Sequence, residues 1–209
     1  DLRWGAFEHP LTPAFWVAQA WMAGKPSENG FQLGRSLEEE VVYCILGGYG
    51  IPAEVGLAAA ERVCGALPDL SDGVRRHARL RELLVQPLQI GGRSVKYRFA
   101  AQRAEYLASA LAMLPCIEEV AISDVALRNT LLGLPGVGPK TASWIVRNRR
   151  ASNEVAILDV HIVRACRIMG IFPHSADPVR LYFELEGRFL EFCRATGSAA
   201  SSMDAVMWS

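Results

Sequence analysis

Lys140 and Asp159 are the two residues of this 209-residue chain whose types and settings most suggest chemistry. Lys140 comes just after Gly133-Leu134-Pro135-Gly136-Val137-Gly138, where Pro139 starts a helix. An amine attacks only when unprotonated, so it needs a desolvated pocket or a neighbouring cation to lower its pKa; a close carboxylate acts the other way. Asp159 stands directly before a helix opening at Val160. A carboxylate there caps the helix and also offers negative charge to a developing cation. Each has an ordinary reading taken singly: a solvated helix-surface lysine and an N-cap.

The turn before Lys140 carries its own signal. Three glycines and a proline within six residues call for backbone conformations closed to other residues, and leave no side chain to hold an incoming backbone away. The amides of the following first helical turn have no partner within the helix, which makes a seat for a phosphate. A turn that only joins two packed helices has the same composition. A nucleotide-hydrolase phosphate loop does not fit Gly138-Pro139-Lys140-Thr141, because Pro139 separates glycine from lysine and no strand precedes it.

The elements that must hold these residues are helical. Thr12-Pro13 caps a helix over residues 14–23 ending at Gly24, and residues 24–34 form a polar loop. Ser36 with Glu39 makes a capping box for a helix whose stripe is Leu37, Val41, Ile45 and Leu46, ending at Gly47-Gly48. Further helices are predicted over 52–66, 71–85 and 97–114, with a turn over 86–93. Ser123-Asp124 caps a helix through Leu132; helix, tight turn and helix to about Arg149 follow. A short extended piece, residues 155–158, leads to a helix over 160–169, and Asp177-Pro178 opens another long one. Six or more helical stripes without sustained alternation predict an all-α fold.

Composition excludes several classes. Half of the chain is apolar, 51%, and no run approaches the roughly 18 residues needed to cross a bilayer. The start, Asp1-Leu2-Arg3-Trp4-Gly5, lacks a secretion-signal pattern and an initiator methionine, as in a trimmed chain. Cys44, Cys64, Cys116, Cys166 and Cys193 are scattered without C-x-x-C spacing, so neither zinc nor an iron–sulfur cluster is expected, and a reducing interior suits them. Lys plus Arg equals Asp plus Glu at 22 each, so any phosphate-binding surface must be local. Basic residues gather at Arg75, Arg76, Arg79 and Arg81, at Arg93, Lys96, Arg98 and Arg103, and at Lys140, Arg147, Arg149 and Arg150.

The stretch Leu134-Pro135-Gly136-Val137-Gly138-Pro139-Lys140-Thr141-Ala142, followed by Ala156-Ile157-Leu158-Asp159-Val160-His161-Ile162, resembles the hairpin and acidic loop of the helix-hairpin-helix DNA glycosylases. Lys140-Thr141-Ala142-Ser143 with Arg147-Asn148, and Arg98-Phe99 with the Gln102 to Leu107 run, are similar to the compact archaeal-type 8-oxoguanine DNA glycosylase/lyases. The matches cover about residues 97–168.

The resemblance implies two helical lobes flanking a DNA-binding cleft: residues 36–147 as a central bundle ending in the hairpin, and residues 1–35 with 148–209 as the second lobe. It implies a monomer that excises 8-oxoguanine or a related oxidised purine from double-stranded DNA and nicks the strand, in the cytoplasm or a nucleus. Lys140 attacks the sugar and forms a Schiff base, and Asp159 stabilises the sugar cation. His161, Gly136, Gly138, Tyr97 and Arg98 contact DNA, the last two at the gap left by the flipped nucleotide. Trp144, Asp204 and Trp208 line the base pocket. No cofactor is required; backbone carbonyls of Leu132, Leu134 and Val137 hold a structural Na+ or K+. Two departures stand out: the compact enzymes continue beyond this tryptophan in a basic tail, whereas this chain stops at Ser209, and residues 45–52 differ from their central helix region. A different modified base, as in defence against substituted foreign DNA, and a non-catalytic DNA-binding module are the alternatives.

Overall fold

The computed structural model describes residues 2–24, 30–48, 50–70 and 74–208. Residues 25–29 of the expected polar loop, Tyr49, Ser209 and the expected helix start at Ser71 lie outside them. The described residues form ten α-helices and one antiparallel hairpin, so the fold is all-α. None of the helices is long and apolar enough to cross a membrane.

The chain forms two compact units, Asp1–Phe31 with Ala142–Ser209, and Gln32–Thr141. The boundaries fall earlier than the expected 35/36 and 147/148. The second lies inside the helix after the glycine turn, because Ser143 and Arg147 bond to residues of the terminal unit.

The central unit starts at α2 (Leu37–Leu46). Ser36 Oγ caps it by accepting from the Glu39 N–H at 3.2 Å. The capping box is not reciprocal: the Glu39 carboxyl accepts from Arg35 N–H at 2.8 Å, one residue before the cap. Buried Glu40 is satisfied by the N–H groups of Leu33 and Gly34, each at 2.9 Å. Val41, Val42, Ile45 and Leu46 are wholly buried, each contributing about 1.5–3 kcal/mol. Helix α2 packs on α3 (Ala53–Ala66) and on α5 (Ala100–Met113), and α4 (Val74–Val85) also packs on α5. Helix α6 (Asp124–Leu131), capped by Ser123 Oγ on the Ala126 N–H, leads into the glycine turn.

Two expectations here are corrected. Residues 86–93 are not simply a turn: β1 (Leu88–Ile90) pairs with β2 (Arg93–Val95) around Gly91-Gly92. Both glycines have positive φ, 55° and 76°, as a two-residue hairpin turn requires. Helix α5 begins at Ala100 rather than Tyr97, because Phe99 (φ −115°, ψ 33°) has left helical geometry.

The terminal unit joins α1 (Pro13–Ala23) to α7 (Pro139–Arg150, from Ala142 on), α8 (Val160–Met169), α9 (Tyr182–Ala195) and α10 (Ala200–Trp208). Thr12 Oγ1 and Pro13 start α1 and Gly24 ends it, as the sequence predicts. Its core holds Ile162, Cys166, Phe172, Leu185, Phe189 and Met203. Helix α9 starts after the expected Asp177, whose carboxyl instead holds a turn by accepting from the Val179 N–H at 2.8 Å. Helix α10 was not legible, because its small and polar residues form no clear apolar stripe.

Candidate functional site

In the central unit the glycine turn is built on Gly136, at φ 81°. A Cβ there would also stand 2.5 Å from the Tyr106 ring, so both backbone and space demand glycine. Gly138 is different: it is exposed, outside the positive-φ region, and a Cβ would meet nothing within 4 Å. Gly133 is also outside that region, so only one of the three glycines is held by backbone conformation. The turn closes through Leu134 N–H to the Leu131 carbonyl (3.0 Å) and Val137 N–H to the Leu134 carbonyl (3.1 Å). Pro139 then starts α7, and Lys140, its second residue, is half-buried.

Tyr97 and Arg98 part company. Tyr97 is 5% exposed and its hydroxyl donates to the Leu46 carbonyl at 2.8 Å; burial pushes this phenol up to about 12. The expected DNA contact by Tyr97 is therefore corrected to a core role, since reaching a partner would break a buried hydrogen bond. Arg98 is exposed, its guanidinium 5.1 Å from the Phe99 ring centre, and Arg93 and Lys96 of the hairpin arm are exposed beside it in sequence.

In the terminal unit Asp159 is the N-cap of α8. One carboxyl oxygen accepts from the N–H groups of His161 (2.8 Å) and Ile162 (2.9 Å). The other oxygen makes neither of these bonds. His161 is exposed on the first turn.

The segment before Asp159 has no strand partner, so side chains satisfy its buried backbone. Ala156 N–H donates to Glu186 Oε1 at 2.9 Å, and the same oxygen accepts from Ser143 Oγ of α7 at 2.9 Å. The Tyr182 hydroxyl donates to the Ala156 carbonyl (2.8 Å) and accepts from Leu158 N–H (3.2 Å). Sequence reasoning missed Tyr182 and Glu186. Their signal was a glutamate one turn beyond a tyrosine on a helix whose neighbouring positions, Leu185 and Phe189, are core.

Asp204 and Arg147 form a buried pair. Arg147 Nη2 lies 2.8 Å from Asp204 Oδ1, and Arg147 Nε donates to Oδ2 at 3.2 Å. Oδ1 nonetheless receives no directed hydrogen bond among the described residues. The guanidinium stacks 4.1 Å from the Phe31 ring centre and also donates to Asn148. Burial raises the Asp204 carboxyl to about 7; Arg147 and the Ile157 amide pull it down, and the Asp159 charge pushes it further up. Asp204, expected at a base edge, is thus buried against Arg147, and Arg147 leaves the expected basic surface cluster for the same reason. Trp144 is half-buried on α7, and Trp208, at the end of α10, is 63% exposed.

No group of three or more His, Cys, Asp or Glu able to hold a metal occurs among the described residues. Residues 32–198 match the family described as 8-oxoguanine DNA glycosylase. Over 78 residues the chain is 30% identical to the 8-oxoguanine DNA glycosylase/AP lyase of Fusobacterium nucleatum, a match spanning 36% of this chain and only about a third, 36%, of that curated relative. Among solved structures, the 8-oxoguanine DNA glycosylase of Methanocaldococcus jannaschii superposes with a TM-score of 0.64 at 26% identity, over 83% of this chain and 78% of that one. The same organism's 8-oxoguanine glycosylase/lyase, in complex with a 15mer DNA containing 8-oxoguanine, superposes with a TM-score of 0.58 at 26% identity, over 84% of this chain and 81% of the other.

Proposed function

The chain belongs to the 8-oxoguanine DNA glycosylase family, and from that premise we propose that it excises 8-oxoguanine or a related oxidised purine from duplex DNA and then cleaves the strand. The observation that carries this reading is Lys140: a half-buried amine on the second residue of α7, directly after the Gly136 turn and inside the stretch matched to the family.

In the proposed reaction the neutral Lys140 Nζ attacks the sugar carbon bearing the damaged base. The N–C bond forms as the glycosidic bond breaks, and the base leaves with that electron pair and takes up a proton. Sugar-ring opening gives a Schiff base. Loss of a proton from the adjacent sugar carbon then expels the 3′ phosphate and nicks the strand. Asp159 supplies negative charge to the cation-like sugar, and its role as N-cap fixes the carboxyl that does so. The open face at Gly138 and the first-turn amides of α7 receive a DNA phosphate, with His161 and Arg98 as further contacts. Trp144 and Trp208 are the proposed base-pocket aromatics; the exposure of Trp208 suits stacking on a flipped base.

The carbonyls of Leu132, Leu134 and Val137 fit a Na+ or K+, being hard oxygen donors; the Leu134 oxygen keeps one lone pair after accepting from Val137. Such an ion would brace the hairpin and face a phosphate. The protein acts as a monomer on double-stranded DNA.

The test is incubation with duplex DNA carrying one 8-oxoguanine, with and without borohydride. Wild type is expected to nick the strand and to be trapped covalently, and Lys140→Gln to do neither. Equal trapping of Lys140→Gln would remove the nucleophile assignment. Trapping only on a different modified base would move the substrate; trapping on none would leave a DNA-binding module.

A further inference from the structure

The residues before Asp159 lie in an unusual setting for a segment that must hold a carboxyl still. Val155, Ala156, Ile157 and Leu158 are all buried, yet form no helix or strand. The Ile157 carbonyl accepts from the Asp159 N–H at 3.0 Å, but the atoms of Ala156 and the Leu158 N–H are met by side chains, and an unmet one is costly. Two residues of α9, one turn apart and facing the same way, meet three of those atoms: Glu186 takes the Ala156 N–H, and the Tyr182 hydroxyl takes the Ala156 carbonyl and the Leu158 N–H. Both side chains are within 5% of complete burial. Glu186 is itself anchored by Ser143 Oγ, so the same oxygen ties the segment to α7.

We propose that Tyr182 and Glu186 are positioning residues for excision: by gripping Ala156 and Leu158 from α9, they set where the Asp159 carboxyl stands. The proposal rests on the reading of Asp159 given above. Both side chains are buried and spend their polar atoms on Ser143, Ala156 and Leu158. Their effect passes through the backbone, from Leu158 N–H directly into the residue that caps α8. The cap bonds orient the Asp159 carboxyl on α8, and the Asp159 N–H donates to the Ile157 carbonyl at 3.0 Å, so where the segment is held also sets where that carboxyl stands. A hydroxyl that bonds on both sides of Ile157 fixes the position of that segment. Displacements well under an atomic diameter matter here, because attack and charge stabilisation both require close alignment.

Tyr182→Phe tests this, since it removes one oxygen and keeps the ring. Single-turnover excision and dissociation constants would be measured on the same 8-oxoguanine duplex, well below the melting temperature of each variant. Tyr182→Phe is expected to slow excision on the order of 10- to 100-fold while DNA affinity stays at the wild-type value. Glu186→Gln, which keeps an acceptor oxygen for Ala156 and Ser143, is expected to excise near the wild-type rate, and Glu186→Ala to behave like Tyr182→Phe. Wild-type excision rates in both Tyr182→Phe and Glu186→Ala, with only a lowered melting temperature, would overturn the proposal and leave the function intact. Should Tyr182→Phe fail to fold, the Glu186→Gln and Glu186→Ala pair decides alone. If wild type neither excises nor is trapped on any modified duplex, the functional reading fails, and the positioning role with it.

Discussion

At the scale of single residues, the terminal unit keeps two carboxyls in contrasting settings. Asp159 spends one oxygen on the first turn of α8. Asp204 is 1% exposed and paired with Arg147. Burial is the largest influence on it and outweighs the guanidinium, so its pKa rises to about 7. The consequence for stability has a definite sign. Between the ordinary carboxylate range and about 7 the folded protein holds a proton that the unfolded chain has released, so this group's contribution falls as pH rises through that window and is level on either side. The stability difference between wild type and Asp204→Asn, followed by chemical denaturation from about pH 4 to about pH 8, should therefore decline with pH, at most by about 1.4 kcal/mol per unit. A difference that stays flat, or climbs, would show that the carboxyl is ionised throughout. Asp204 also illustrates what a sequence leaves undecided: only the structure reveals the buried Arg147 beside it.

At the scale of elements, the glycine turn and α7 separate two jobs that look identical in sequence. Gly136 is needed by the fold, through its left-handed backbone and through the Tyr106 ring, which lies 2.5 Å from where a Cβ would stand. Gly138 is under neither constraint, since its φ is outside the left-handed region and a Cβ there would meet nothing within 4 Å. Gly136→Ala should cost about 2–4 kcal/mol, combining the strain of a left-handed alanine with overpacking. Gly138→Ala should leave thermal unfolding unchanged and weaken DNA binding. A neutral Gly136→Ala, or a Gly138→Ala that unfolds early, would reverse these roles. Element starts were legible wherever a cap announced them: Thr12, Ser36, Ser123 and Asp159 all cap where expected. They were misplaced where a turn used the same chemistry, as at Asp177, or where Phe99 left helical geometry before α5. The Gly91-Gly92 pair between Leu88–Ile90 and Arg93–Val95 was a readable hairpin signal, obscured because the flanking runs are only three residues each.

At the scale of the whole molecule, balanced charge means that the DNA affinity of the proposed function must come from local groups. Arg93, Lys96 and Arg98 are exposed, close in sequence, from β2 to the approach to α5. Replacing all three by Ala should reduce the slope of log affinity against log salt by about two to three, because each phosphate neutralised releases about one counterion. An unchanged slope would move the DNA-binding surface elsewhere. What the amino-acid sequence determined by itself is local: the all-α character, the caps, the turn before Lys140 and the family to which the chain belongs. Periodicity and capping act over a few residues, so they survive in a linear string. The tertiary structure alone decided that Tyr97 belongs to the core, that Arg147 pairs with Asp204, and that Tyr182 and Glu186 hold the segment before Asp159. Those partners stand 24 to 57 residues apart. Whether a polar side chain faces solvent, DNA or a buried carbonyl depends on which distant helix packs over it, and no local pattern encodes that.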